Sequence, residues 1–283
     1  MKRLLLTGSS GYLGQRLLAA AGAWRVVATY HSRPPASAEV EALALDLRDG
    51  PAVRAAVRAA RPDVIVHTAC SNRSPEQIQA IRPAARHLAE AAAELGVRLV
   101  HVSTDLVFDG EQAPYSDFAP RRPLGDYGTA KAEAEAVVSA LCPAAVLVRP
   151  SLIWGLTPLD HQTRWLAEAA RAGRPATLFT DEIRCPVFVD DLAAALLELA
   201  GRPEVSGPLN AGGAQALSRW EFGQRLLAVL GLSAGAHITA GTTRASGLIR
   251  ARDLTLAAGR AQRELRTPLR GVDEVLAAGH THV

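Results

Sequence analysis

Tyr127 and Lys131, in the run YGTAK, stand four positions apart in a stretch with helical character. On a helix that spacing places both on one face, about one turn apart. A phenol beside an ammonium can form half of a proton-transfer site, yet the same spacing is common on surface helices, so the pair needs support from elsewhere. A second group of residues supplies it. TGSSGYLG directly follows the first apolar run and carries Gly8, Gly11 and Gly14. At a strand–turn–helix junction the first glycine permits a tight turn, the second lets backbone N–H groups approach a pyrophosphate, and the third allows close helix–strand packing. Ser10, Tyr12 and Leu13 fill the same turn and join the cofactor-binding candidates.

The end of the second apolar run decides which dinucleotide fits. A site for NAD usually places an acid there for the ribose 2′-hydroxyl. Here the chain reads ATYHSRP, with His31, Ser32 and Arg33 and no acid before Glu39. A cation with a hydroxyl suits a 2′-phosphate, which favours NADP(H) over NAD(H). Asp46, followed by Leu47, closes ALALD, where it either meets the adenine or caps the following turn. His67 stands near the end of the fourth run, beside the expected cofactor, and the backbone around Thr68, Ala69 and Cys70 is expected to contact the dinucleotide.

These residues need a scaffold. The first 150 residues alternate short Leu-rich or β-branched runs (3–8, 25–30, 41–46, 63–69, 98–104 and 144–150) with Ala-rich helical stretches (12–22, 50–60, 76–95 and 126–141). Runs apolar on both faces and joined by helices indicate a parallel sheet covered on each side. The expected fold is α/β: a Rossmann doubly wound parallel sheet with helices on both faces and a smaller C-terminal α/β substrate-binding lobe. Residues 1–153 are assigned to an NADP-binding domain and 154–283 to the lobe, whose segments can return to the sheet. In the lobe, helices are expected near 159–172, 190–200, 218–230 and 271–278, and strands near 176–179, 184–188 and 206–210.

Composition narrows the function classes. The 283 residues are 48% hydrophobic and 21% charged, with a net charge of +3 and a pI near 9.0. The basic residues are scattered, which argues against nucleic acid. No apolar run approaches the ~18 residues of a membrane span, and the first strand begins at Arg3, so a cytoplasmic protein is expected. Cys70, Cys142 and Cys185 are widely spaced and the histidines lack ligand spacing, His280 and His282 of the terminal GHTHV included; neither a disulfide frame nor a metal site is expected.

With the glycine turn, STDLVFDG (103–110), YGTAK (127–131) and RPSLIWG (149–155) in that order, the chain resembles the extended short-chain dehydrogenase/reductases. Within them it is most similar to the dTDP-4-dehydrorhamnose reductase branch, which also shows a segment like FTDEIRCPVFVDDLA (179–193). The likeness runs from about residue 3 to 276. The resemblance implies an NADPH-dependent reductase of a 4-keto nucleotide sugar, with catalytic Thr104, Tyr127 and Lys131. Tyr127 would give the proton to a carbonyl oxygen, and the Lys131 ammonium would lower a phenol pKa that is otherwise near ~10. Tyr127 and Lys131 would also contact the nicotinamide side of the cofactor. Thr104 would orient the substrate oxygen, with Ser103 as the alternative. Self-association through Rossmann-domain helices is common among relatives, but 126–141 is too Ala-rich to reveal a homodimer seam.

Departures from the pattern are specific. The Asn that supports the active-site lysine in many relatives is replaced here by Ile81, with Pro83 two residues on; a backbone carbonyl or water would have to substitute. Thr104 is followed by Asp105 and Leu106, without the Glu of dehydratases, so dehydration is disfavoured and Asp105 is either structural or chemical. Arg184 falls where relatives bind the substrate diphosphate, a task suited to a guanidinium; the plainer reading is a surface salt bridge to Asp181 or Glu182. Arg250 and Arg252 are weaker candidates for the nucleotide. Asp190 and Asp191 are expected at an N-cap. Trp154, Trp165 and Phe179 are read as core first. An epimerase or other dehydrogenase of the superfamily, and a non-catalytic NADP-binding regulatory subunit, are the rival functions.

Overall fold

Each helix and strand of the first half has a local cause. Leu-rich and β-branched runs give β1 (Arg3–Thr7), β2 (Arg25–Tyr30), β3 (Glu41–Ala44), β4 (Val64–His67), β5 (Arg98–Val102) and β6 (Val146–Pro150). Between them lie α1 (Tyr12–Ala20), α2 (Gly50–Ala60), α3 (Pro75–Leu95) and α4 (Asp126–Leu141). The Asp49 side chain caps α2 by accepting from the Ala52 N–H, and Ser74 caps α3 by accepting from that of Gln77. The computed structural model describes residues 1–35 and 40–279; Glu39, His280 and His282 lie outside the described residues.

The second half supplies β7 (Ile153–Trp154), α5 (His161–Arg171), β8 (Ala176–Phe179), β9 (Ile183–Arg184), β10 (Val187–Phe188), α6 (Val189–Ala200), β11 (Gly207–Ala211), β12 (Leu217–Ser218), α7 (Arg219–Val229) and β13 (Ile238–Gly241). The run expected as one strand over 184–188 is two. It breaks at Cys185–Pro186, where the proline offers no N–H to a ladder. β9 then pairs with β12 and β10 with β7. β13, which sequence periodicity does not reveal, pairs with β8.

Seven parallel strands form the central sheet in the order β11-β6-β5-β4-β1-β2-β3. β11 comes from the C-terminal half and pairs with β6, Leu209 opposite Val148. The strand order reverses between β1 and β4, so a crevice opens at their C-terminal ends, the place where doubly wound sheets bind ligands. α2, α3 and α4 cover one face through Val53, Leu88, Ala134 and Val138; α1 and α6 cover the other through Leu13, Leu17, Leu192 and Leu196. A separate core in the lobe centres on Trp154, edge-on to Phe222 with ring centroids 5.7 Å apart. Trp154 is therefore core, as expected, whereas Trp165 is 43% exposed. Among the described residues no helix is long and apolar enough to cross a membrane, and the three cysteines are free.

Polar ties hold the layers in register. Glu135 of α4 and Arg149 of β6 form a buried pair, Nη2 to Oε2 2.6 Å, and Arg149 also donates to the Asp117 carbonyl at 2.7 Å. The Asp117 carboxylate in turn accepts from the Asn210 N–H of β11 at 2.7 Å. Asp190 and Asp191 are not at the N-cap of α6; Phe188 is, and the two acids occupy the first turn. There they hold arginines. Asp190 pairs with Arg16 of α1 at 2.5 Å, and Asp191 pairs with Arg270 at 2.6 Å. The Arg16–Asp190 pair is about one-third exposed, and such pairs contribute about 1 kcal/mol or less. Asp190→Asn is accordingly expected to lower stability in urea unfolding by no more than about 1 kcal/mol. A loss of several kcal/mol would mean that the pair, not the apolar face, docks α1 on α6.

Candidate active site

The glycine turn is built by contact. Gly8 has φ +72, and a Cβ there would meet the Ala69 backbone N at 2.7 Å. A Cβ on Gly14 would come within 2.2 Å of the Gly8 carbonyl oxygen. Neither position admits a side chain, so β1 turns directly into α1, whose N-cap is Gly11. The first-turn N–H groups of α1 and the positive end of its dipole then face the crevice.

A cleft of about 600 Å³ opens at this point. It gathers all the dinucleotide candidates of the first four runs: Gly8, Ser10, Gly11, Tyr12, Leu13 and Gly14 at one end, His31, Ser32, Arg33, Asp46 and Leu47 at the other, and Thr68, Ala69 and Cys70 along the floor. The chain leaves β4 sharply there, with Cys70 in the left-handed region at φ 69. His67 does not face the cleft. It is buried, its Nδ1 lies 2.7 Å from the Thr7 hydroxyl, and burial drives its pKa down to about 3. Arg33 is exposed and has no side-chain partner among the described residues. Asp46 caps the turn that follows, its carboxylate accepting from the Arg48 backbone N–H at 2.9 Å, and it is also paired: the Arg48 side chain donates to it through Nη2 at 2.6 Å, and the His31 Nε2 lies 3.7 Å away. Those bonds hold the carboxyl down at about 2.

Tyr127 and Lys131, also expected at the cofactor, are not among the residues lining this cleft, but both feel the charge of Cys70, which does line it. Gly128, between them in sequence, explains how. A Cβ there would fall 2.3 Å from the Leu106 carbonyl oxygen, so only glycine lets the first turn of α4 rest on the 105–107 turn that follows β5. That contact sets the phenol near both Asp105 and Cys70, the two groups whose charge its titration feels. Lys131 is on the same face, Nζ 6.0 Å from the Tyr127 ring centroid, as the spacing requires. It is buried and donates to the Val102 carbonyl at 2.9 Å. Where relatives supply Asn, Ile81 is buried in the apolar core beneath, and this backbone carbonyl gives Lys131 a polar partner.

The electrostatics differ from the sequence expectation. Burial raises the Tyr127 phenol above its ordinary value, and Asp105 and Cys70 push in the same direction. Burial also brings Lys131 down to about 8, against smaller opposing effects of Cys70 and Glu135. The phenol is not shifted downward as expected, because desolvation is the largest effect on each group, raising the phenol and lowering the lysine. The outcome is a phenol that keeps its proton at neutral pH beside a lysine close to its titration point.

Ser103, Thr104 and Asp105 are all buried. The Ser103 hydroxyl has no partner among the described residues, while Thr104 donates to Asp105 at 3.3 Å and accepts from the Leu106 N–H at 3.2 Å. Ser151, which the sequence reading passes over, donates to Asp105 at 2.7 Å and accepts from the Cys185 N–H at 3.1 Å. Its only sequence signal is its place after the RP of RPSLIWG. Arg184 is 6% exposed. It pairs with Glu182 at 3.2 Å, approaches Asp105 at 3.9 Å and donates to the carbonyls of Ile183 and Ala251. Its guanidinium is thus engaged by Glu182, in a buried pair and not in the surface salt bridge expected from the sequence. The more accessible cation is Arg250, half-exposed, paired with Glu182 at 2.5 Å and set over the Phe179 ring. Arg252 lies on the surface with Glu111. Arg219 completes the group: one of its nitrogens is buried without a partner among the described residues, and burial lowers its pKa to about 10. Three guanidinium groups, Arg184, Arg219 and Arg250, therefore surround Glu182.

Comparison with known proteins fits this arrangement. Residues 1–277 match the family described as RmlD substrate binding domain. The chain is 33% identical to dTDP-4-dehydrorhamnose reductase from Mycobacterium tuberculosis (strain ATCC 25618 / H37Rv), covering 79% of this chain and 73% of that one. It is 30% identical to methionine adenosyltransferase 2 subunit beta from Xenopus tropicalis, covering 78% and 70%. Among solved structures, a hypothetical dTDP-4-dehydrorhamnose reductase from Sulfolobus tokodaii superposes with a TM-score of 0.83 at 25% identity, covering 96% and 97% of the two chains. The chain belongs to the RmlD substrate binding domain family, a branch of the extended short-chain dehydrogenase/reductases.

Proposed function

We propose that this chain is an NADPH-dependent reductase of a 4-keto nucleotide sugar. The observation that carries the reading is the partly buried Tyr127, one helical turn from Lys131 with its Nζ 6.0 Å from the ring centroid, and close enough to Cys70 of the dinucleotide cleft and to Asp105 of the buried Ser103–Asp105 run to feel the charge of each. The cleft fits a dinucleotide: a Cβ would fill the backbone cradle at Gly8 and Gly14, and the exposed Arg33, without a side-chain partner among the described residues, offers a guanidinium for a 2′-phosphate. Bound NADPH supplies the hydride. The residues do the rest. Thr104 accepts from the Leu106 N–H, and its one hydroxyl proton turns from Asp105 to the reacting oxygen when a carbonyl binds. Tyr127 gives that oxygen its proton, and Lys131 stabilises the phenolate left behind. Ser151 and Arg184 hold Asp105 in place, a positioning role, and the half-exposed Arg250 is the guanidinium offered to a substrate diphosphate.

Mixing the protein with NADPH and a panel of dTDP- and UDP-linked 4-keto-6-deoxyhexoses is expected to deplete the reduced-nicotinamide absorbance with at least one member. No depletion with any carbonyl substrate would end the reading. A binding role has one observation in its favour, the likeness to a methionine adenosyltransferase subunit at 30% identity. NADPH binding without turnover, together with a co-purifying partner, would favour it. Cofactor retained through purification and not consumed would favour an epimerase.

A further inference from the structure

Beneath α4 the sheet carries a row of polar side chains that the reduction above does not use. Thr7 of β1, His67 of β4 and His101 of β5 stand opposite one another in register, and all three are buried. Side chains alternate across a strand: Val100 and Val102 pack with α1 and α6, and Leu99 packs with α3 and α4. His101, and Ser103 two places on, therefore project toward the α3–α4 side. The His67 ring lies 5.1 Å from that of His101, centroid to centroid, and its Nδ1 meets the Thr7 hydroxyl at 2.7 Å. His101 has no such partner. Neither of its ring nitrogens is hydrogen-bonded among the described residues, and nor is the Ser103 hydroxyl.

Lys131 shows the complementary surplus. Its ammonium carries three donors, and one goes to the carbonyl of Val102, the residue between His101 and Ser103. Burial, reinforced by the charge of this ammonium, keeps both imidazoles neutral, so each has one acceptor nitrogen. Tyr127 shares the face of Lys131, and Cys70 and Glu135 act on its charge. Glu135 is already held by Arg149, and the buried side of α3, packed against α4, presents Ile81, Ala84 and Ala85. His101 is the neutral acceptor left near the ammonium.

We infer that His101 is a positioning residue for the reduction, its acceptor nitrogen linked to the Lys131 ammonium by one buried water that the Ser103 hydroxyl also bonds. Three partners are the usual complement of such a water. The link keeps Lys131 charged beside the Tyr127 phenol, so the inference rests on the reductase reading above and deepens it. A buried ammonium that loses an acceptor gives up its proton more readily.

The test reads the lysine directly. The sequence has two lysines, Lys2 and Lys131, so protein labelled with carbon-13 at the lysine ε-carbon gives two NMR signals, and Lys131→Met assigns them. The Lys131 signal is followed with pH in the wild type, His101→Leu, His101→Asn and His101→Gln. Wild type should titrate near 8. His101→Leu should move the midpoint down by about one to two pH units, the scale of one hydrogen bond to a charged group, and the alkaline fall in rate should move with it. Asn returns an acceptor near the Nδ1 position and Gln one near the Nε2 position, so one of the two should restore both readouts. A midpoint unmoved in His101→Leu, or moved equally in all three His101 variants, would overturn the link, and this arm needs no substrate. A midpoint that moves while the pH–rate profile does not would overturn the positioning role alone. Absence of turnover with every carbonyl substrate would end the reductase reading, while the NMR midpoint still decides the link.

Discussion

Tyr127→Phe lowers kcat for carbonyl reduction by about 10²–10⁴-fold, the range supplied by a positioned general acid, while NADPH affinity measured by fluorescence titration changes little. The substitution removes one oxygen. Its hydroxyl makes no hydrogen bond to the described residues, so no neighbour is left unpaired, and the ring's packing in the core between α3 and α4 is kept. The effect is therefore chemical and not structural, and a Phe variant that unfolds at the wild-type urea midpoint but has lost its rate would display that separation. A Phe variant with the full rate would remove Tyr127 from the mechanism and, with it, the main support for a reductase.

Lys131→Met should lower kcat by about 10²–10³-fold, the scale seen when one preorganised electrostatic contact is lost. It should also abolish a pH dependence that only a buried lysine can produce. Because Lys131 is brought down to about 8 while Tyr127 is raised, the first of the two to titrate on going alkaline is the lysine. The rate should fall above about pH 8, and the fall should be absent from the residual activity of the Met variant. Stability moves the other way. Below pH 8 the lysine is charged in both states, and the folded state carries the full cost of burying it. Between about pH 8 and the ordinary value of 10.5 it is neutral when folded and charged when unfolded, so that cost is relieved as pH rises. The whole window is worth about 3 kcal/mol. Urea unfolding of wild type and Lys131→Met at pH 7.5 and pH 10 checks it: the alkaline gain should appear in the wild type and be missing in the variant. An equal response in both would place the titration elsewhere.

Together the two variants describe a site that costs stability. A buried ammonium with one carbonyl partner, a strained Cys70, and a Ser103 hydroxyl and an Arg219 nitrogen without partners among the described residues are all destabilising by themselves.

Much of this was written into local sequence. The glycines at 8, 11 and 14, the alternation of apolar runs with Ala-rich helices and the four-residue spacing of Tyr127 and Lys131 each carry their own geometry, because periodicity and backbone freedom depend on near neighbours. From them came the parallel sheet, its dinucleotide crevice and the fourteen residues now found around one cleft. What local sequence could not show was how charges pair across the chain. Ser151 reaching Asp105 from 46 residues away, Arg184 turning inward to Glu182 beside Arg250, and Lys131 finding the Val102 carbonyl all depend on which segments become neighbours. The same holds for the electrostatics. The sequence placed a cation beside a phenol and so implied a lowered phenol pKa, whereas the tertiary structure buried both, and desolvation of the pair outweighs their attraction. Residue type and spacing determined the chemistry available; burial and long-range pairing decided the protonation state in which it is held.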